Sequence, residues 1–226
     1  MEIILVAATP FEIAPTLAYL EKGFIKTEAG VFEKNGFCVR PLVTGVGMVA
    51  TVFQLGAFFA KNRPTLAINA GIAGAFDPEM PLGKVVHVSS ERFADLGVEE
   101  ADGRFTDLFA LQLLDPDAPP FSNGILKNPH TAPASFLPAA SGMTVNRVHG
   151  YAPSIEAARM QYPDVQVESM EGAAFFYACL LADIPFFEIR SISNRVEPRN
   201  RAGWDLPLAI GNLNQVLTEM LEAFQP

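Results

Sequence analysis

The sequence predicts an α/β fold, a central sheet covered by helices, on three observations. Strand-like and helix-like segments alternate along the whole chain, the order expected of a layered α/β domain. Half of the 226 residues are hydrophobic and 18% are charged, which favours a well-buried sheet and excludes disorder. The length suits one domain over residues 1–226, and no internal repeat or low-complexity tract divides it.

The elements follow in order. Ile3–Ala8 reads as a buried strand, and Pro10 opens a helix to about Leu20, since proline is tolerated at a first helical position. Phe37–Thr44 is a second extended run. Gly47–Lys61 is a helix expected to carry Val49, Val52, Phe53 and Gly56 on one face. Thr65–Asn69 is a short strand expected to break at Gly71 and Gly74, and Lys84–Phe93 is another, with Val86 and Val88 alternating against His87 and Ser89. From Asp115 to Pro138 proline, Ser, Asn and Gly are too dense for a regular element, so a long ordered surface loop is expected. Pro153–Gln161 reads as a helix, Val165–Ser169 as a strand, Glu171–Leu181 as a helix and Pro185–Ser193 as a strand. Asn194–Asp205 is polar and irregular, and Pro207–Phe224 closes the chain as an amphipathic helix.

Composition narrows the partners. A net charge of −9 and a sequence pI near 4.8 argue against nucleic acid or an anionic membrane surface. No apolar run spans a bilayer, and Glu2 stands where a signal peptide wants positive charge, so a cytoplasmic protein is expected. Cys38 and Cys179 sit singly and read as free thiols. His87, His130 and His149 show no metal-ligand spacing, so no metal, no cofactor and no Ser–His–Asp arrangement are expected.

A few residues carry chemistry. Gly45-Val46-Gly47-Met48-Val49-Ala50 has the spacing of a dinucleotide fingerprint, but the next strand ends in Asn69-Ala70-Gly71 rather than an acidic residue. A tight turn near a ligand is the better reading. Glu12 follows the first strand, where a carboxylate serves either a ligand crevice or the positive end of a helix. Glu171 begins the small-residue helix Gly172-Ala173-Ala174, and a carboxylate there suits the paired hydroxyls of a ribose. Met170 offers an apolar face to sugar or base, or simply packs the core. Asn194 ends a strand, and its amide can read a purine edge or form a turn; its hydrogen-bond inventory does not choose the base. Arg147, Arg199 and Arg201 lie in loops, either framing an anionic ligand tail or solvated.

Together these residues resemble the purine nucleoside phosphorylase/nucleosidase family, and within it the 5′-methylthioadenosine/S-adenosylhomocysteine nucleosidase branch. The resemblance covers essentially the whole chain. Its marks are Glu12, Asn69-Ala70-Gly71-Ile72-Ala73-Gly74, Ser141-Gly142, Val167-Glu168-Ser169-Met170-Glu171 and Arg190-Ser191-Ile192-Ser193. The run from Ser193 to Arg201, with Trp204 and Leu206-Pro207-Leu208, is similar to the futalosine-hydrolysing, menaquinone-pathway members of that branch.

The resemblance implies a three-layer fold with a central mixed twisted sheet flanked by helices. It implies that Glu12 activates a water, Glu171 holds the ribose hydroxyls, Met170 packs on the sugar, and Arg190 orients Glu12 or the water. Backbone near Thr144, Val145 and Asn146 would contact the base. It also implies a homodimer or larger homo-oligomer, with Phe105 and the proline-rich stretch as candidates to complete a partner's pocket. Two positions depart from the branch. Asn194 stands where methylthioadenosine-type enzymes carry a proton-donating aspartate, and Ile72 stands where a serine lies near the water. An amide cannot give up a proton, so leaving-group help is hydrogen bonding alone, which favours a 6-oxopurine such as hypoxanthine. A phosphate-dependent phosphorylase and a non-catalytic nucleoside-binding protein are the alternative readings.

Overall fold

The computed structural model describes residues 1–130 and 136–225. The chain runs β1 (Glu2–Ala7), α1 (Pro10–Gly23), β2 (Ile25–Lys26), β3 (Phe32–Lys34), β4 (Phe37–Val43), α2 (Met48–Phe59), β5 (Leu66–Ala75) and β6 (Val85–Glu91). A small pair, β7 (Gly97–Glu99) and β8 (Phe105–Asp107), precedes β9 (Phe121–Ser122), β10 (Ile125–Lys127) and β11 (Ala139–Thr144). Then come α3 (Ala152–Gln161), β12 (Val167–Ser169), α4 (Gly172–Ala182), β13 (Phe186–Arg195) and α5 (Leu206–Ala223).

The sheet is mixed. β1 lies between β4 and β5, parallel to both, and β13 pairs parallel with β5 and antiparallel with β6. Because β6 also pairs with β11, β11 with β12 and β12 with β5, these strands close on themselves and hide their edges. Period-two alternation along β1 sorts its side chains. Ile3, Leu5 and Ala7 join a core with Ile13, Leu20, Leu213 and Leu217 from α1 and α5, while Ile4 and Val6 join Leu55, Phe59, Phe175 and Phe176 from α2 and α4. Helices thus cover both sheet faces, and burial on both sides explains the nearly continuous apolar runs.

Two expectations are corrected, and the face of α2 is assigned. β5 does not break at Gly71 and Gly74 but continues to Ala75. The glycines mark close approach rather than a turn: a Cβ would lie 2.2 Å from Arg190 Nη1 at Gly71 and 3.0 Å from Val196 at Gly74. On α2, Val49, Val52, Phe53 and Gly56 do share one face, and it is the exposed one; the buried face is Thr51, Leu55 and Phe59. Finally, the proline-rich stretch is not a plain surface loop. Asn123 and Gly124, both at positive φ, turn β9 into β10, and β10 joins β6 and buries Leu126 completely. Residues 131–135 of that stretch lie outside the described residues.

Candidate active site

The ends of β1, β5 and β13 lead into one cluster of charge. Glu12 sits in the first turn of α1 and is 7% exposed. Its Oε2 accepts from the backbone N of Thr9 at 3.0 Å and from Thr9 Oγ1 at 3.1 Å, the reach-back half of a capping box. Its Oε1 accepts from Ile72 N at 3.2 Å, so the backbone of β5 holds the other oxygen. Glu12 therefore serves as a helix-start acid and faces Gly71, where a Cβ would stand 2.9 Å from Oε1.

Arg190 is the ladder partner of Gly71 and is 1% exposed. Its Nε donates to Glu188 Oε1 at 2.7 Å, and its Nη1 lies 3.8 Å from Glu171 Oε2. Among the described residues it makes no ion pair with Glu12. Burial works against its charge, but Glu188, Glu171 and Glu12 more than offset this and keep the guanidinium charged above its ordinary range.

Glu171 is the N-cap of α4 and is 6% exposed. Its Oε1 accepts from Gly47 N at 3.0 Å, and Gly47 is itself the N-cap of α2 at φ 93°. The glycine turn thus presents an amide to a carboxylate, not to a phosphate. Burial pushes the Glu171 carboxyl above its usual value, while Arg190 and the Gly47 N–H pull it back. Met170, half-buried, precedes it.

Asn194 stands three ladder steps away, beside Gly74, where the register of β13 against β5 shifts. The amide is half-buried; Oδ1 accepts from Ser193 Oγ at 2.8 Å and Nδ2 donates to Arg195 O at 3.0 Å. It lines a cavity of about 40 Å³ with Gly74, Val148, His149, Glu168 and Trp204. Glu168, buried at 4%, accepts from His149 N at 3.0 Å and pairs with His149 Nδ1. The Arg199 guanidinium lies 5.0 Å over the Trp204 ring.

Glu12, Ile72, Arg190 and Glu171 are therefore brought together, whereas Asn194 lies three ladder steps further along, on a cavity whose wall includes none of these four. The backbone N–H groups of Thr144, Val145 and Asn146 are already donated, to Arg92 O, Ser169 O and Asp95 Oδ2. Thr144 and Val145 are buried as well. Sequence reasoning missed Glu188, Glu91 and the Glu168–His149 pair. For Glu188 a signal existed: a charged residue two positions before Arg190 in an apolar strand lies on the same face.

The groups can take a proton from water or a hydroxyl at Glu12, accept hydroxyls at Glu171, and donate an amide N–H at Asn194. Among the described residues no cluster of three or more His, Cys, Asp or Glu suits a metal, and no helix is long and apolar enough to cross a membrane.

Comparison with known proteins gives the family and the fold. The family model described as "Phosphorylase superfamily" matches residues 2–222. The chain is 33% identical over 204 residues to the futalosine hydrolase of Streptomyces coelicolor, covering 82% of this chain and 80% of that protein. It is 31% identical over 220 residues to the futalosine hydrolase of Thermus thermophilus, covering 89% and 91%. Its fold superposes on the Streptococcus pneumoniae 5′-methylthioadenosine/S-adenosylhomocysteine nucleosidase, solved with 8-aminoadenine, at a TM-score of 0.80 and 20% identity, covering 99% of this chain and 100% of that one.

Proposed function

The chain belongs to the phosphorylase superfamily, and from that premise we propose that it is a nucleoside N-glycosidase hydrolysing futalosine to hypoxanthine and dehypoxanthine futalosine. The observation that carries the substrate is the carboxamide of Asn194 on the cavity wall, where an ionisable acid would serve an adenine leaving group. The curated futalosine hydrolases, at 31–33% identity, support the same reading.

The chemistry follows from the residues. Glu12 takes a proton as water attacks the anomeric carbon, and Glu171 accepts the ribose hydroxyls, so both carboxylates face a ring that gains positive charge. Arg190 balances the carboxylates and opposes the rise that burial gives the Glu171 carboxyl. Asn194 donates to the departing base, which leaves as the more stable anion of a 6-oxopurine. Ile72 contributes its backbone N–H to Glu12 rather than a hydroxyl to the water. Met170 packs on the sugar.

The exposed apolar side chains Val46, Val49, Val52 and Phe53 surround the turn whose Gly47 holds Glu171. A second copy of the chain on that face would form a homodimer continuous with the site.

Product analysis tests the reading: futalosine, inosine and methylthioadenosine are each incubated with the protein, with and without phosphate. Hypoxanthine released from futalosine without phosphate is expected. Adenine from methylthioadenosine as the preferred product, or turnover that needs phosphate, would replace it with a methylthioadenosine nucleosidase or a phosphorylase.

A further inference from the structure

Arg190 is held from behind by Glu188, and a second glutamate, Glu91, lies beyond it; the reaction above uses neither. Glu188, 0% exposed, grips Arg190 Nε through Oε1 at 2.7 Å. Glu91, 1% exposed at the end of β6, accepts through Oε2 from Thr144 Oγ1 at 2.9 Å and from Arg92 N at 3.3 Å. Glu91 Oε1 and Glu188 Oε2 have no hydrogen-bond partner. The two side chains meet at Gly172, where a Cβ would stand 2.2 Å from Glu91 Oε1 and 2.7 Å from Glu188 Oε1. Gly142 makes the same room, 2.4 Å from Glu91 Oε1. Two glycines thus clear a space in which two carboxyl groups face each other out of water. Like charges so placed do not both ionise.

We propose that Glu91 and Glu188 share one proton and act as a positioning pair: Glu91 keeps the proton, Glu188 keeps the charge, and Arg190 is thereby held toward Gly71, Glu12 and Glu171. With Glu91 ionised, the guanidinium would be drawn back toward two charges instead of one. The groups facing the pair are Arg190 on β13, Glu171 at the start of α4, the Cys179 thiol on α4 and the Thr144 hydroxyl on β11. Burial, then the charge of Glu188, raises the Glu91 carboxyl well above its usual range. Burial raises Glu188 too, with Arg190 opposing. The folded chain therefore binds a proton that the unfolded chain releases. The pair's contribution to stability is present below an ordinary glutamate pKa of about 4.3 and is lost as pH rises through the folded value.

Arg190's part in the reaction rests on the proposed function; the shared proton does not. Two variants of the full chain, Glu91→Gln and Glu188→Gln, test both. Melting temperature measured against pH should fall on the alkaline side in the parent, and Glu91→Gln should flatten that fall. In steady-state assays Glu188→Gln should lower kcat by about 10²-fold with a much smaller change in KM, the scale of a misplaced group. Glu91→Gln, whose amide N–H replaces the shared proton, should lose less than about tenfold on the same scale. An unchanged pH slope in Glu91→Gln, or equal kcat losses in the two variants, overturns the proposal. If the parent hydrolyses no purine nucleoside, the function reading alone fails, and a crystal structure of Glu188→Gln decides the positioning: a displaced guanidinium supports it, an unmoved one overturns it. Should Glu188→Gln not fold, the pH slope of Glu91→Gln carries the test.

Discussion

The proposed sugar side and the proposed base side of the site are built on different principles. On the sugar side Glu12, Glu171 and Arg190 are buried at 7%, 6% and 1% exposure, and each is tied to a strand or a helix start. On the base side Asn194 is half-buried, and its neighbours Val148, His149, Arg199 and Trp204 come from segments outside the regular elements. On the proposed reading, strands and helix starts hold the groups assigned to the chemistry, whereas Asn194, near the end of β13, meets a wall made largely of loops. Changes on the first side should therefore cost turnover, and changes on the second should move preference.

The largest effect is expected at Glu12. Glu12→Gln should lower kcat by about 10²–10⁴-fold, the usual worth of a general base, with an unchanged circular dichroism spectrum. Near-normal turnover would remove Glu12 from the mechanism and break the division. Gly71→Ala comes next. Its Cβ would need the space of Arg190 Nη1, and because Glu188 pins that guanidinium the clash is not cheaply relieved. A kcat loss of about 10²-fold is expected from the misplacement, read by the same assay.

Asn194→Asp should act differently. The ratio of kcat/KM on adenosine-type to inosine-type nucleosides should rise by about tenfold, some 1.4 kcal/mol, while total activity stays within the same order. An unmoved ratio would mean that the base side does not select the base. The pH profile sharpens the sugar side. Burial raises the Glu171 carboxyl, and the reaction needs its ionised form, so activity should appear only as pH climbs past a point above the ordinary glutamate range. An acid limb at or below that range would mean that Glu171 is not the titrating group.

The smallest effect is expected outside both regions. Phe53→Ser on the exposed face of α2 should change stability by no more than about 0.5 kcal/mol, yet shift the mass measured by light scattering from dimer to monomer. A parent that is monomeric removes the proposed homodimer.

Much of the fold was legible because burial leaves a periodic trace. The helix starts at Pro10 and Leu206, the strand at Ile3 and the helix after Glu171 all stand close to where spacing and punctuation put them. The hairpin at Asn123-Gly124 also had a local signal, but the prolines around it masked the pattern. On α2 the spacing left the core-facing side undecided for a physical reason. A helix with apolar side chains on more than one face has no single amphipathic stripe, so periodicity cannot say which face the sheet covers.

By itself the sequence determined the order of elements, the free thiols and the acidic and amide side chains at strand ends, because these depend on residues near one another in the chain. Which of them meet was decided by tertiary structure. Glu12, Gly71, Glu171 and Arg190 converge only when β1, β12 and β13 align on β5, and Glu91 reaches Glu188 only because two distant glycines leave room. Electrostatic coupling depends on distance and burial, and neither quantity is written in local sequence spacing.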